Sequence, residues 1–305
     1  MNPEPEVAAP EPPAGPTGLF TGSGGLRAIA RLVIYLAIGF AGLILFGAVI
    51  AMPLRHVPGF LGTPLALILD KSMLIACSFG AAAVMAKLEK RPFGIYGLPR
   101  QEAFGKYFWQ GAAWGLAEIT ALMLLIAAAH GYSFGSVVLG GGQLLRYVFL
   151  WGVVFLLVGF SEEFLFRGYA QFTLATGFGF WPAAVALSLG FAAAHYSNPG
   201  EGWPGLAQVF IIGMFFCLTL RRTGSLWFAV GMHAAFDFGE TFLYSVPNSG
   251  FVAEGHLSNA SLRGPGWLTG GAVGPEGSVF SFVTLAILFV LFARFYPAKP
   301  KSDSG

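Results

Sequence analysis

The chain has 305 residues, of which 55% are hydrophobic and only 10% are charged, and its formal net charge is +2. Because soluble domains carry about a quarter charged residues, this composition excludes a soluble protein and indicates an integral membrane protein. The small net charge gives no basic surface for nucleic acid, so we expect a lipid bilayer and no nucleic-acid partner.

The first 25 residues are rich in Pro, Gly and Glu, and they contain no basic segment before an apolar core. Such a composition cannot bury enough apolar surface to fold. It also lacks the pattern of a signal peptide. We therefore predict a disordered cytoplasmic tail over residues 1–25.

Eight apolar stretches follow, each close to the length that crosses a bilayer as a helix. They lie at roughly 32–52, 60–86, 107–129, 146–174, 181–196, 204–221, 225–245 and 277–296. Helices are expected throughout, since an isolated strand would leave backbone groups unpaired in lipid. The predicted fold class is all-α, a polytopic membrane protein with about eight transmembrane helices.

Lys and Arg are divided unevenly between alternate loops, with twelve in one set and only Arg55, Arg146 and Arg263 in the other. The richer set marks the cytoplasmic side, so both termini are predicted to be cytoplasmic. The Ala- and Gly-rich composition, with no eukaryotic targeting signal, indicates the bacterial cytoplasmic membrane.

This reading divides the chain into five segments. After the tail come N-terminal transmembrane helices over residues 26–130 and a catalytic transmembrane core over 131–250. A Gly/Pro-rich non-cytoplasmic loop over 251–276 is either a flexible lid or a linker. The last helix and a cytoplasmic tail occupy 277–305.

Three ionisable residues stand together at the end of the fourth stretch, in "VGFSEEFLFRGYAQF". One charge at a helix centre costs about 2.5–3.5 kcal/mol, so such residues need a partner or a function. Glu163 and Arg167 are four residues apart and can form an ion pair. Glu162 is turned about 100° away from Glu163 and lacks that partner, so it is available for chemistry.

Two further polar motifs lie in later stretches. "FAAAH" ends in His195, with Phe191 four residues before it, and "HAAFD" places His233 and Asp237 four residues apart on one face. Three helices can therefore bring Glu162, both imidazoles and Asp237 together.

A carboxylate with two imidazoles suits hydrolysis by two routes. Without a metal, Glu162 takes a proton from water, His195 orients that water, and His233 with Asp237 stabilises the oxyanion. With a divalent metal such as zinc, Glu162, His195 and His233 would be the ligands, and Glu163 or Asp237 would act as base or support.

The remaining polar residues in the apolar stretches have simpler interpretations. Asp70, Lys71 and Glu118 match no catalytic spacing, and we interpret them as an interhelical polar cluster. Cys77 and Cys217 lie in apolar runs without C-x-x-C spacing, which is typical of helix packing.

The three motifs together, "EEFLFR", "FAAAH" and "HAAFD" in this order, resemble those of the CPBP family of intramembrane proteases (CAAX protease and bacteriocin-processing, or ABI). The resemblance covers about residues 150–245. It implies an all-helical catalytic core with Glu162 activating the water, assisted by His195, and an oxyanion site formed by His233 and residue 237. Glu163 and Arg167 would support them.

The same resemblance implies a peptide or membrane-tethered protein as substrate, and it leaves the metal open, because the family is described both as metalloproteases and as metal-free. Asp237 stands where the CAAX branch usually carries Asn. A carboxylate donates no hydrogen bond unless it is protonated. Asp237 therefore either carries a proton or orients His233.

Two other functions use the same residues, namely a transporter with a proton relay and a noncatalytic scaffold or immunity protein.

The rise per residue also gives a geometric test of the site. Counted from the ends of the predicted stretches, His195 lies about 10 Å deeper than Glu162 and His233.

Overall fold

The computed structural model describes residues 25–54, 56–57, 63–252 and 254–298. The predicted tail over residues 1–25 lies outside this range except for its last residue. The described chain is helical in all of its apolar stretches, and its only strands there are two residues long. The prediction of an all-α polytopic fold is confirmed.

Eleven α-helices occupy the described residues. In chain order they are α1 (Gly25–Phe46), α2 (Met52–Leu54), α3 (Pro64–Leu88), α4 (Lys106–Ala128), α5 (Gly141–Arg167), α6 (Tyr169–Phe178), α7 (Phe180–His195), α8 (Trp203–Thr223), α9 (Trp227–Phe238), α10 (Gly266–Thr269) and α11 (Val279–Phe295). The π-helical turns Gly47–Ala51 and Gly239–Leu243 extend α1 and α9.

Five helical segments are long and apolar enough to cross a membrane. They are Arg27–Ile50, Pro64–Leu88, Lys106–Ala128, Gly141–Phe178 and Trp203–Thr223, while α7 and α11 are shorter apolar helices. Large apolar side chains such as Phe40, Leu124, Phe149 and Val290 are exposed on their outer faces. The molecule is a multi-pass membrane protein.

The predicted fourth stretch, 146–174, is not one continuous helix. The chain breaks at Gly168 between α5 and α6. A Cβ at this position would lie 2.4 Å from the carbonyl oxygen of Phe164, so the local backbone accepts only glycine. Beyond the break, α6 packs against α1 and α7.

Helix α9 lies at the centre of the molecule and packs against α4, α5 and α8. Glycines allow its backbone to touch that of α4. A Cβ on Gly111 would lie 2.0 Å from the Phe228 carbonyl oxygen, and one on Gly115 would lie 2.1 Å from that of Met232. This contact fixes the height of α9, which carries the "HAAFD" motif.

A buried polar cluster ties the N-terminal helices to α6. The guanidinium of Arg31 lies 3.6 Å from the Glu89 carboxylate and donates a 2.6 Å hydrogen bond to Thr176. Tyr169 also donates to Glu89. The two cysteines are free and buried, as their apolar surroundings predicted.

The α9–α11 connection, residues 244–278, is held to the helices by hydrogen bonds. Tyr132 donates to the Tyr244 carbonyl oxygen at 2.9 Å, and the Trp151 indole donates to the Glu254 carbonyl oxygen at 3.1 Å. Strand β1 (Tyr132–Ser133) pairs antiparallel with β2 (Ser261–Leu262). The connection is therefore anchored at several points along its length.

Helix α7 has only 16 residues, so it is about 24 Å long. Two exposed aromatic residues mark its ends. Trp181 is 45% exposed and Tyr196 is 76% exposed. Side chains of this kind favour the interface between lipid and water.

Candidate active site

Glu163 lies at the centre of a buried polar group formed by α5 and α9. Its Oε1 is 3.3 Å from Nη1 of Arg167, and both side chains are fully buried, so the ion pair expected from their spacing is present. The same oxygen is 2.9 Å from Nδ1 of His233. Nδ1–H therefore donates to Glu163, which leaves Nε2 directed at other groups.

Two carboxylates face Nε2 of His233. Oε2 of Glu162 lies 3.9 Å away and Oδ2 of Asp237 lies 3.6 Å away. Both distances exceed a direct hydrogen bond, so the interactions are electrostatic and leave lone pairs for another molecule.

Glu162 has a partner that its position on the helix did not predict. Nζ of Lys71 on α3 donates to its Oε1 at 3.2 Å. The interpretation of Asp70, Lys71 and Glu118 as one interhelical cluster is thus wrong for Lys71, because the packing of α3 on α5 directs its ammonium to Glu162.

His195 reaches the same region through Phe191. Its Nδ1 lies 2.8 Å from the Phe191 carbonyl oxygen, one helical turn earlier. The Phe191 ring is centred 4.7 Å from the His195 ring and 6.5 Å from the His233 ring. The Arg167 guanidinium lies 4.3 Å above this ring. Phe191 therefore stands between the two imidazoles.

One cavity contains most of the predicted site. Its empty volume, including the open side, is about 530 Å³. His195, His233, Asp237 and Phe191 are among its lining residues. Glu162 is not in the lining and meets the cavity through its contact with His233. The sequence predicts that His195 lies about 10 Å deeper than His233. Both residues nevertheless line the same cavity.

Residues 144–239 match the protein-family model described as "Rce1-like: Type II CAAX prenyl endopeptidase Rce1-like". This segment is similar to that family. The match extends from α5 to the end of α9 and contains all three motifs, consistent with a CPBP-family protein. The search of curated proteins and the search of solved structures each returned no match.

The cavity beside the Rce1-like motifs includes acidic residues that the sequence did not single out. Glu240 follows α9 on the π-helical turn, and Glu276 belongs to the α9–α11 connection. Glu118, which the sequence groups with Asp70 and Lys71 in a polar cluster, lines this cavity instead. The sequence contained one indication of Glu240, because it follows Asp237 by three residues and therefore lies on the same face of the helix.

The predicted metal ligands Glu162, His195 and His233 do not come together as a metal site. Across the described ranges, no three His, Cys, Asp or Glu side chains are arranged to hold one metal ion. The ammonium of Lys71 also occupies one oxygen of Glu162, where a metal cation would be repelled. These residues do not fit a metal, and no catalytic step is derived through one.

Proposed function

We propose that this protein is an intramembrane endopeptidase of the CPBP type that hydrolyses a peptide bond with a water activated by Glu162. The observation that carries the proposal is the arrangement around His233. Its Nδ1 is fixed by Glu163 at 2.9 Å, and Nε2 faces the carboxylates of Glu162 and Asp237. The Rce1-like match supports a protease at the level of the family.

Glu162 is the general base. Its Oε1 is bound by Lys71, so Oε2 is the oxygen that accepts a proton from water. The water oxygen attacks the carbonyl carbon, and the peptide C–N bond breaks. The proton held by Glu162 passes to the departing nitrogen, so one carboxyl group acts first as base and then as acid.

His233 and His195 act on the oxygen atoms of the reaction. A His233 ring held by Glu163 presents Nε2–H to the oxyanion when it carries a proton, and the Asp237 carboxylate at 3.6 Å stabilises that charge. Asp237 thus orients and supports His233 instead of donating to the oxyanion. His195, held through Nδ1, directs Nε2 towards the attacking water.

The substrate is a peptide or a membrane-tethered protein segment that enters between the helices. We place the protein in the bacterial cytoplasmic membrane with both termini in the cytoplasm, on the distribution of Lys and Arg between alternate loops.

The decisive experiment compares wild type with Glu162→Gln in detergent or lipid nanodiscs. A library of peptides with blocked ends is the substrate, and mass spectrometry detects the products. We expect the variant to lose hydrolysis by about 10²–10⁴-fold, because the amide cannot accept the proton from water.

Glu254→Gln serves as the matched control, because Glu254 is exposed and lies outside the cavity. Its turnover should equal that of wild type. Equal hydrolysis by Glu162→Gln and wild type would contradict the mechanism. Solute flux through sealed vesicles without peptide cleavage would favour a transporter. The absence of both flux and cleavage would favour a scaffold or immunity protein.

A further inference from the structure

The cavity next to the candidate catalytic residues has an excess of acidic groups. Among the described residues that line it are four carboxyl groups and two imidazoles, from Glu118, Asp237, Glu240, Glu276, His195 and His233. No Lys or Arg is among the described residues of this lining. The carboxyl groups come from α4, α9 with its π-helical turn and the α9–α11 connection, so packing of distant segments creates the cluster.

Three of these carboxyl groups are both deeply buried and incompletely bonded. Glu118 is 6% exposed, Glu240 is 1% exposed and Glu276 is 6% exposed. Each has one oxygen that finds no hydrogen-bond partner within the described residues. Glu276 uses its other oxygen to accept a 2.6 Å hydrogen bond from the Ser249 amide. Glu240 and Glu276 face each other closely enough to share one hydrogen bond when either carries a proton. Since buried polar atoms are nearly always bonded, the remaining oxygen of Glu118 indicates a missing partner.

The nearby basic side chains are already engaged elsewhere. Lys71 lies 3.2 Å from Glu162, and Arg167 lies 3.3 Å from Glu163. A buried carboxylate without a partner is strongly unfavourable. A cation that enters from outside would stabilise these groups in their ionised form, so the cavity favours a cation over an anion.

The negative field extends to the loop that follows α7. Burial raises the pKa of the Glu201 carboxyl, the Gly202 amide that donates to it at 2.9 Å lowers the pKa, and the negative charge of Glu276 raises it again. Glu201 therefore interacts electrostatically with Glu276, while the imidazole of His195 acts on it in the opposite sense and lowers its pKa.

The arrangement of the carboxyl groups in the cavity favours a nitrogen cation over a metal ion. No group of three His, Cys, Asp or Glu side chains in the described chain is arranged for a metal. An ammonium or a guanidinium instead carries several N–H donors that can reach separated acceptors. The three incompletely bonded carboxyl groups can each accept one of these donors.

Helix geometry relates the acidic cluster to the reacting bond. Glu240 follows His233 by seven residues on one continuous helical run, which is about 10 Å along the axis. An extended peptide covers this distance in about three residues. A long basic side chain near the reacting bond can therefore reach the cluster.

We propose that Glu118, Glu240 and Glu276 form a subsite that binds a cationic nitrogen group of the peptide substrate, within about three residues of the bond that is cut. The subsite rests on the proposed function for its role in catalysis, but its binding of a cation is independent of hydrolysis. The nitrogen is supplied by a Lys or Arg side chain or by the free amino end of the peptide.

Binding is measured by calorimetry on the full chain in nanodiscs, with nine-residue apolar peptides. Three peptides have both ends blocked and carry Lys, Gln or Glu at the centre, and a fourth carries Gln and a free amino end. We expect the Lys peptide to bind at least about tenfold more tightly than the Gln peptide, and the Glu peptide to bind most weakly.

Glu240→Gln and Glu276→Gln should bring the Lys and Gln affinities to within about twofold, because the charge is removed while the shape is kept. The Glu276→Gln substitution keeps a side-chain oxygen that accepts from the Ser249 amide, so the fold of the connection is preserved. Glu254→Gln, at an exposed residue outside the cavity, should keep the full preference for Lys. Tight binding of the peptide with a free amino end would assign the nitrogen to the amino terminus.

Equal affinity of wild type for the Lys peptide, the blocked Gln peptide and the peptide with a free amino end would overturn the subsite, as would a preference for a cationic nitrogen that persists in both variants. Hydrolysis of the same peptides is recorded separately. A preference for a cationic nitrogen without any cleavage would refute the proposed protease and keep the subsite. Cleavage without that preference would keep the proposed protease and refute the subsite.

Discussion

At the scale of residues, the main feature is that Glu163 shares one oxygen between two N–H donors. Oε1 is 3.3 Å from Arg167 on its own helix and 2.9 Å from His233 on α9. The ion pair within α5 therefore also positions the imidazole of another helix. A residue that spacing alone assigns to structure contributes in this way to the geometry of the candidate site.

Arg167→Met tests the energetic role of this group. Removing one partner of a buried ion pair leaves an uncompensated charge, so we expect a loss of about 3–5 kcal/mol in the free energy of unfolding. Glu163→Gln added to Arg167→Met should recover part of that loss. The measurement is unfolding by denaturing detergent, followed by circular dichroism.

Arg146→Met is the control, because Arg146 is exposed near the start of the same helix. Its effect on the free energy of unfolding should stay below about 0.5 kcal/mol. A similar loss for the two arginine variants would contradict the buried role of Arg167.

Spacing predicted the bonds within a helix and missed those between helices. Glu163 and Arg167 are four residues apart, so helix geometry alone indicated their ion pair. Lys71 and Glu162 are separated by 91 positions, and only the packing of α3 on α5 brings them together. The same reason hid the contact of Glu276 with the Ser249 amide, 27 positions away.

At the scale of elements, the contact of α4 with α9 decides where the "HAAFD" motif stands. Gly115 lies directly against the backbone of Met232, the residue before His233. Any side chain at this position must move one helix away from the other. The position of His233 therefore depends on a glycine that has no chemical role.

Gly115→Ala should lower both stability and hydrolysis. The added methyl carbon would lie 2.1 Å from the Met232 carbonyl oxygen, so α9 must shift. We expect a loss of about 1–3 kcal/mol in the free energy of unfolding and a fall in kcat. Gly152→Ala on α5 is the matched control, since nothing lies within 4 Å of its added carbon. A full kcat in Gly115→Ala would contradict the positioning role.

Hydropathy predicted the apolar helices but not their interruptions. The fifth stretch is expected at 181–196, and α7 spans Phe180–His195. The break at Gly168 was missed because an isolated glycine within an apolar run is compatible with a continuous helix. The hydrogen bonds that anchor the α9–α11 connection were missed because they join side chains to distant backbone groups.

At the scale of the whole molecule, orientation determines which solution meets the acidic cavity. The α9–α11 connection supplies Glu276 to the cavity and lies on the side that the count of Lys and Arg assigns to the exterior. With this orientation, both chain ends are expected in the cytoplasm.

Reporter fusions test this orientation. Green fluorescent protein fused to either terminus should fluoresce, because both ends are expected in the cytoplasm, whereas alkaline phosphatase at the same places should be inactive. The control is alkaline phosphatase inserted after Glu254, which should be active. Activity of a terminal phosphatase fusion would reverse the assignment.

The length of α7 sets a condition on the surrounding lipid. A helix of about 24 Å is shorter than a hydrocarbon layer of about 30 Å, and tilting would shorten its span further. We expect α7 to cross the bilayer with Trp181 and Tyr196 at the headgroups, in which case the acyl chains beside it compress by about 6 Å. Water and headgroups then come closer to His195 at the end of this helix. Hydrolysis should therefore respond to acyl-chain length, with the highest rates in thin bilayers.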